Sequence, residues 1–158
     1  PDPVIFFEPK RIYRAFREPV PNEAYTLPIG KARVVTEGTD LTVVAWGAMV
    51  VEAAKAAEQS DASVELIDLR TISPLDEDTI LASVEKTGRC VICQEAPLTL
   101  GLASEISSLV TERCFLHLEA PVQRVAGFDT IMPYYKLEME YLPGPDRISA
   151  AIDETLRY

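Results

Sequence analysis

Apolar and polar positions follow two rhythms along this chain. Short unbroken apolar runs alternate with longer stretches in which apolar residues return every three or four places. The runs have the length and residue types of strands buried on both faces, and the longer stretches have the period of amphipathic helices. Leu41–Trp46, Val64–Leu69, Cys90–Cys93 and Pro121–Ala126 are the strand runs, with a weaker one at Ala32–Thr36 beyond the turn Glu37-Gly38-Thr39-Asp40. Between them, Val50, Ala53, Ala54 and Ala57 mark a helix whose face of small residues suits close packing on a sheet. Ile80, Leu81 and Val84 mark a second, opening at Ser73-Pro74-Leu75-Asp76 with Pro74 in its first turn and closing at Gly88. Leu102, Ile106, Leu109 and Val110 mark a third, ended by Cys114-Phe115-Leu116, and Ile148, Ile152 and Leu156 a last one over Pro145–Leu156.

Strands that alternate with helices predict a mostly parallel sheet covered on both faces, an α/β/α arrangement. The strand exits at Trp46-Gly47, Asp68–Thr71, Gln94–Pro97 and Gly127–Thr130 then gather along one edge, where open α/β sheets place their binding surfaces. The stretch from Arg89 to Thr111 is the centre of this pattern. Its apolar run is broken by Gln94, Glu95 and Pro97, and a helix opens at Gly101. Met132–Pro143, rich in tyrosine, reads as irregular.

The first thirty residues differ. Val4-Ile5-Phe6-Phe7 is a strand-like run between Pro3 and Pro9, and the chain from 9 to 30 is rich in proline and charge. Residues 1–30 therefore read as the end of an upstream domain plus a linker, with 31–158 the domain proper. Ile12, Tyr13, Phe16 and Tyr25 predict that the linker lies docked on a surface. The chain does not begin with Met, so either the numbering is expected to start inside a longer chain or something has been removed.

Charge narrows the partners. A net charge of −10 disfavours nucleic acid and anionic membrane surfaces, which it would repel. No apolar run approaches the roughly 20 residues that cross a bilayer. Three cysteines cannot all pair within the chain, which favours a reducing interior.

Self-contained chemistry is hard to find. Gly47 and Asp68 imitate a dinucleotide fingerprint, but Met49 and Glu52 stand where the pyrophosphate needs glycine. Cys90 and Cys93 match a redox spacing in letters only. They lie in a strand, point to opposite faces and read as buried structural thiols. His117, the one histidine, has no serine nucleophile elbow to serve and reads as structural or surface. Glu95 and Asp129, acids at strand exits, stand with Arg70 and Arg124 as a polar cluster suited to ion pairing or to a partner. No catalytic, cofactor-binding or metal-ligating residue is assigned.

Several segments together resemble one family. These are Asp2–Lys10, Leu41–Gly47, Ile67–Pro74, Glu95-Ala96-Pro97-Leu98-Thr99 with Ala103-Ser104-Glu105-Ile106, and Arg124–Thr130. They are similar to the C-terminal domain of the β subunit of thiamine-diphosphate-dependent 2-oxoacid dehydrogenases. Cys114-Phe115-Leu116 and Leu118-Glu119-Ala120-Pro121 resemble the branched-chain type more than the pyruvate type, with pyruvate and acetoin dehydrogenases the alternatives. The resemblance implies a three-layer fold of the transketolase C-terminal-domain type, usually with one antiparallel strand. It implies a heterotetramer with an α subunit and a second β subunit, and thiamine diphosphate and Mg²⁺ held elsewhere in the assembly. It further implies docking of the acyltransferase's subunit-binding domain near Tyr158, with Asp129 and Arg147, and subunit contacts at Glu95 and Phe128. This chain departs from the family at Gln94, often His, at Leu100, usually Gly, and at Ile131-Met132. A stand-alone acidic protein-binding module is the rival reading.

Overall fold

The computed structural model describes residues 2–5, 10–15 and 17–158. Five strands form one sheet: β1 (Arg33–Thr36), β2 (Leu41–Ala45), β3 (Val64–Asp68), β4 (Cys90–Pro97) and β5 (Gln123–Gly127), in the order β1-β3-β2-β4-β5. β2 pairs in parallel with β3 and β4, and β4 with β5, while β1 runs antiparallel on the β3 edge. This is the mostly parallel sheet that the alternation of strands and helices predicted, with the one antiparallel strand that the resemblance implied.

Helices α1 (Met49–Gln59) and α5 (Pro145–Thr155) cover one face, and α2 (Glu77–Thr87) and α3 (Leu102–Cys114) the other. A short α4 (Glu138–Tyr141) interrupts the segment read as irregular. All five residues of β2 are buried, as expected for a central strand covered on both sides. Leu41, Val43, Val91 and Cys93 face the α1/α5 layer, and Val44, Ile92 and Cys90 face the α2/α3 layer. Cys90 and Cys93 thus lie on opposite faces. Burial raises both thiols, Cys93 to about 12, so neither is a thiolate in the folded chain.

Several local expectations need correction. α1 buries Met49, Ala53 and Ala56, while Val50, Ala54 and Ala57 are only partly buried on its flank against the same core. Pro74 is not in the first turn of α2. It lies in the turn before, joined to Ser73 by a cis peptide bond, and Asp76 is the N-cap, accepting from Thr79 N at 3.4 Å. The opposite end of α2 is as expected: Gly88, at φ 70°, is its left-handed cap. β4 runs on past its apolar residues through Gln94 to Pro97, because β5 continues beside it and Pro97 stands opposite Gly127. Glu95, Ala96 and Pro97 escape an apolar-run reading because they are exposed, while Gln94 is buried but polar.

Among the described residues, 17–29 are exposed throughout, so the expected docking is not seen over that part of the linker, while Ile12 is half-buried. Its end is tied down: Ala32 N donates to Asp76 Oδ2 at 2.9 Å, and Lys31 pairs with the same carboxylate at 3.5 Å. Val4 and Ile5 are exposed and outside any strand, while Phe6, Phe7 and Phe16 lie outside the described residues.

Candidate protein interface at the strand exits

The four parallel strands deliver their exits to one edge of the sheet. Left-handed backbone gathers there, at Gly47 (φ 57°), Arg70 (φ 56°) and Leu100 (φ 60°). For the two residues with a Cβ this conformation is strained, and such strain concentrates at functional surfaces.

The β4 exit is the most constrained. Gln94 is buried, and its carboxamide spans the β4–α3 loop. Oε1 accepts from Ala103 N at 2.8 Å, while Nε2 donates to Pro97 O at 2.7 Å and Ala96 O at 3.3 Å. Gln94 therefore satisfies one of the orphan amides at the start of α3. A Cβ at Gly101 would collide with this carboxamide, so the loop needs glycine at that position. Across the gap, Asp129 accepts from Thr99 N at 2.9 Å and Thr99 Oγ1 at 2.6 Å, stapling the β4–α3 loop to the β5 exit. The Thr99 hydroxyl, then its amide, hold the Asp129 carboxyl below the usual carboxylate range, with a smaller contribution from Arg124.

Arg124 donates to Ser104 Oγ at 2.5 Å and Leu98 O at 3.4 Å. Arg147, on the first turn of α5, donates to Ala126 O at 2.6 Å and Tyr141 O at 3.3 Å, and lies 4.6 Å over the Phe128 ring. Phe128 meets Tyr141 edge-on at 6.4 Å. Leu98, Arg124, Phe128, Asp129 and Arg147 together line an open cavity of about 280 Å³.

The structure brings together only part of the expected site. Asp129, Arg124, Arg147 and Phe128 share this cavity, and Glu95 is exposed at the end of β4. Arg70 stands apart, in the loop after β3, a strand separated from β5 by β2 and β4, and pairs with Asp68 at 4.0 Å. Tyr158 is also apart. α5 starts beside Phe128 and runs back along β5, carrying Tyr158, 66% exposed, toward the opposite end of the sheet. His117 is exposed in the turn after α3. Sequence reasoning missed Gln94 as a cap and Thr99 as a staple. Their partners lie nine and thirty residues away, and no local pattern announces them.

These residues do not suit a bound metal. Among the described residues, no three His, Cys, Asp or Glu side chains converge as metal ligands. The one carboxylate in the cavity is already turned onto Thr99. Nor is any helix among the described residues long and apolar enough to cross a membrane.

The family described as "Transketolase, C-terminal domain" matches residues 30–148. This chain belongs to the transketolase C-terminal domain family. Among curated relatives, it is 53% identical over 96% of its length to the "Pyruvate dehydrogenase E1 component subunit beta" of Acholeplasma laidlawii, covering 47% of that protein. It is 52% identical over 99% of its length to the mitochondrial "2-oxoisovalerate dehydrogenase subunit beta" of Dictyostelium discoideum, covering 43% of it. The chain therefore spans about half the length of the relatives it matches. Among solved structures, a "Split gene transketolase, inactive beta4 tetramer" superposes with TM-score 0.69 at 26% identity, over 84% of this chain and 43% of that one. A 2-oxoglutarate:ferredoxin oxidoreductase from Magnetococcus marinus shares the fold, with TM-score 0.54 at 11% identity over 80% of this chain and 19% of that one. In this transketolase C-terminal domain, then, the strand exits carry the features that remain to be explained by function.

Proposed function

We propose that this chain is the C-terminal half of the β subunit of a thiamine-diphosphate-dependent 2-oxoacid dehydrogenase. Residues 1–30 would be the end of an upstream domain plus linker, and 31–158 the domain. The observation that carries the reading is identity above 50%, over nearly the whole chain, to the β subunits of two such enzymes. Thiamine diphosphate and Mg²⁺ would be held by the α subunit and the other half of β, where the cofactor supplies decarboxylation of a 2-oxo acid. The acyl group would pass to a lipoyl arm. This domain's own residues would hold subunits together: the α subunit and a second β subunit at the strand exits, including Glu95 and Phe128, and the acyltransferase's subunit-binding domain at Tyr158. Asp129 and Arg147, engaged with Thr99 and Ala126, would support docking by fixing the shape of the surface. The similar split-gene transketolase is inactive as a β4 tetramer, which supports a β chain that needs a different partner to catalyse.

A branched-chain 2-oxo acid is the proposed substrate, supported by Cys114-Phe115-Leu116 and Leu118-Glu119-Ala120-Pro121. Pyruvate is the second reading, favoured by the Acholeplasma relative at 53% against 52%. The test is to co-express the full-length subunit with its α partner and compare kcat/KM for the two substrates. A preference of about tenfold or more for the branched acid, the discrimination that a few methylene groups can supply, is the expected result. The reverse preference assigns pyruvate, and no turnover of either substrate contradicts the whole proposal.

A further inference from the structure

Among the charged side chains at the strand exits, Arg124 is engaged on one side only. β5 is an edge strand, and its period of two turns Arg124, Ala126 and then Phe128 to the same side. Both hydrogen bonds of the Arg124 guanidinium, to Ser104 Oγ and Leu98 O, leave through Nη1. Nε and Nη2 make none among the described residues. Neither is one of the buried polar atoms that lack a partner, so solvent reaches both. These two nitrogens form the edge of a guanidinium that takes a carboxylate through two parallel bonds.

That edge belongs to a cavity of about 280 Å³ that Arg147, Asp129, Phe128 and Leu98 also line. Arg147 is fixed by Ala126 O and Tyr141 O and contributes its charge from there. Asp129 accepts twice from Thr99. Two cations therefore face one anion that is already engaged, in a chain whose net charge is −10. Phe128 and Leu98 add an apolar wall. A concave, partly apolar space with a few convergent polar groups, at the carboxyl ends of parallel strands, has the form of a small-molecule site.

We propose that this cavity binds a small aliphatic carboxylate. Its two oxygens accept from Nε and Nη2 of Arg124, and its hydrocarbon chain lies against Phe128 and Leu98. The apolar wall selects an acid with an aliphatic tail over an inorganic anion, which would leave that wall in water.

The test is calorimetric titration of isovalerate into the full-length subunit, produced with its α partner, and into its Arg124→Gln, Arg124→Lys and Phe128→Ala variants. The native protein should bind with a Kd of about 1 mM or below, the range open to so small a ligand. Arg124→Gln removes the charge, and Arg124→Lys keeps it but removes the paired donors. Each should weaken binding about tenfold or more. Phe128→Ala should weaken it about threefold or more with Arg124 untouched, which keeps the site testable if Arg124→Gln lowers stability. Binding at any other place in the assembly persists in all three variants and sets the baseline. Isoamyl alcohol, which has the same tail and no charge, should not bind above that baseline. Isovalerate binding that is absent, or unchanged in the Arg124 variants, overturns the site. Equal binding of the alcohol, or displacement of isovalerate by a lower concentration of inorganic phosphate, overturns the ligand class.

Discussion

The two ends of the sheet use similar polar chemistry for different purposes. At the end where the parallel strands begin, polar side chains close on one another and are buried. Thr42 Oγ1 lies 2.7 Å from both Ser83 Oγ and Thr87 Oγ1, and buried Glu65 meets Lys86 and the amide of Gly38. Burial opposes ionisation of Glu65, but the hydrogen bonds from Lys86, Ser83 and Gly38 outweigh it and lower its pKa. Phe115 and Leu116 are exposed near this end too, but among the described residues the side-chain-bearing residues with left-handed backbone, Arg70 and Leu100, lie at the other. At the exit end, Gln94, Asp129, Arg124 and Arg147 are equally engaged, yet the surface around them is apolar and open. Ile131 is 92% exposed and Tyr134 95%. A polar network that encloses its own members stabilises a fold. One that fixes exposed apolar side chains prepares a surface for another molecule.

Substitutions at each end test the contrast. The largest effect is expected from Gln94→Leu, which leaves the buried Ala103 amide and the Pro97 carbonyl without partners. It should cost about 3 kcal/mol in denaturant unfolding and loosen the β4–α3 loop, with Asp129 unable to hold that loop alone. At the other end, Glu65→Ala should cost about 2 kcal/mol, since the buried Gly38 amide loses its acceptor. It should leave association with any partner unchanged, and a weakened association would break the contrast.

A smaller effect is expected from acid. Burial pushes the Asp76 carboxyl up, but the hydrogen bonds from Ala32 and Thr79 prevail and lower it. A carboxylate with a lowered folded pKa stabilises the fold fully above its unfolded value. That contribution is lost as pH falls through the folded one. The advantage of the native chain over Asp76→Asn should therefore be constant from pH 7 to about 5 and shrink below about pH 4. An advantage that grows in acid would contradict the assignment. The measurement is the denaturation midpoint of both chains across that range.

How much of this was legible depended on the range of the interactions. β2, β3 and the helix ending at Gly88 could be read directly, because continuous burial and a left-handed cap leave local marks. The convergence of the strand exits on one edge followed from the alternation of strands and helices. The end of β4 could not be read, since Glu95-Ala96-Pro97 pair with a strand but lack a cover, and an apolar-run criterion records covering. Asp129 was singled out as an exposed acid, but its partner Thr99 lies thirty residues earlier in sequence. Arg147 looked available for docking, yet its guanidinium is spread between two backbone carbonyls and a ring. Tyr158 was grouped with Asp129 and Arg147 by the docking role that the resemblance implies, and the length of α5 separates it from them.

Hydrogen exchange of the full-length subunit, with and without its α partner, tests the central claim most directly. The account predicts new protection at residues 98–101 and 128–135, with exchange around Glu65 and Lys86 unchanged. Protection confined to the Glu65–Lys86 end, with the strand exits as open as before, would contradict it.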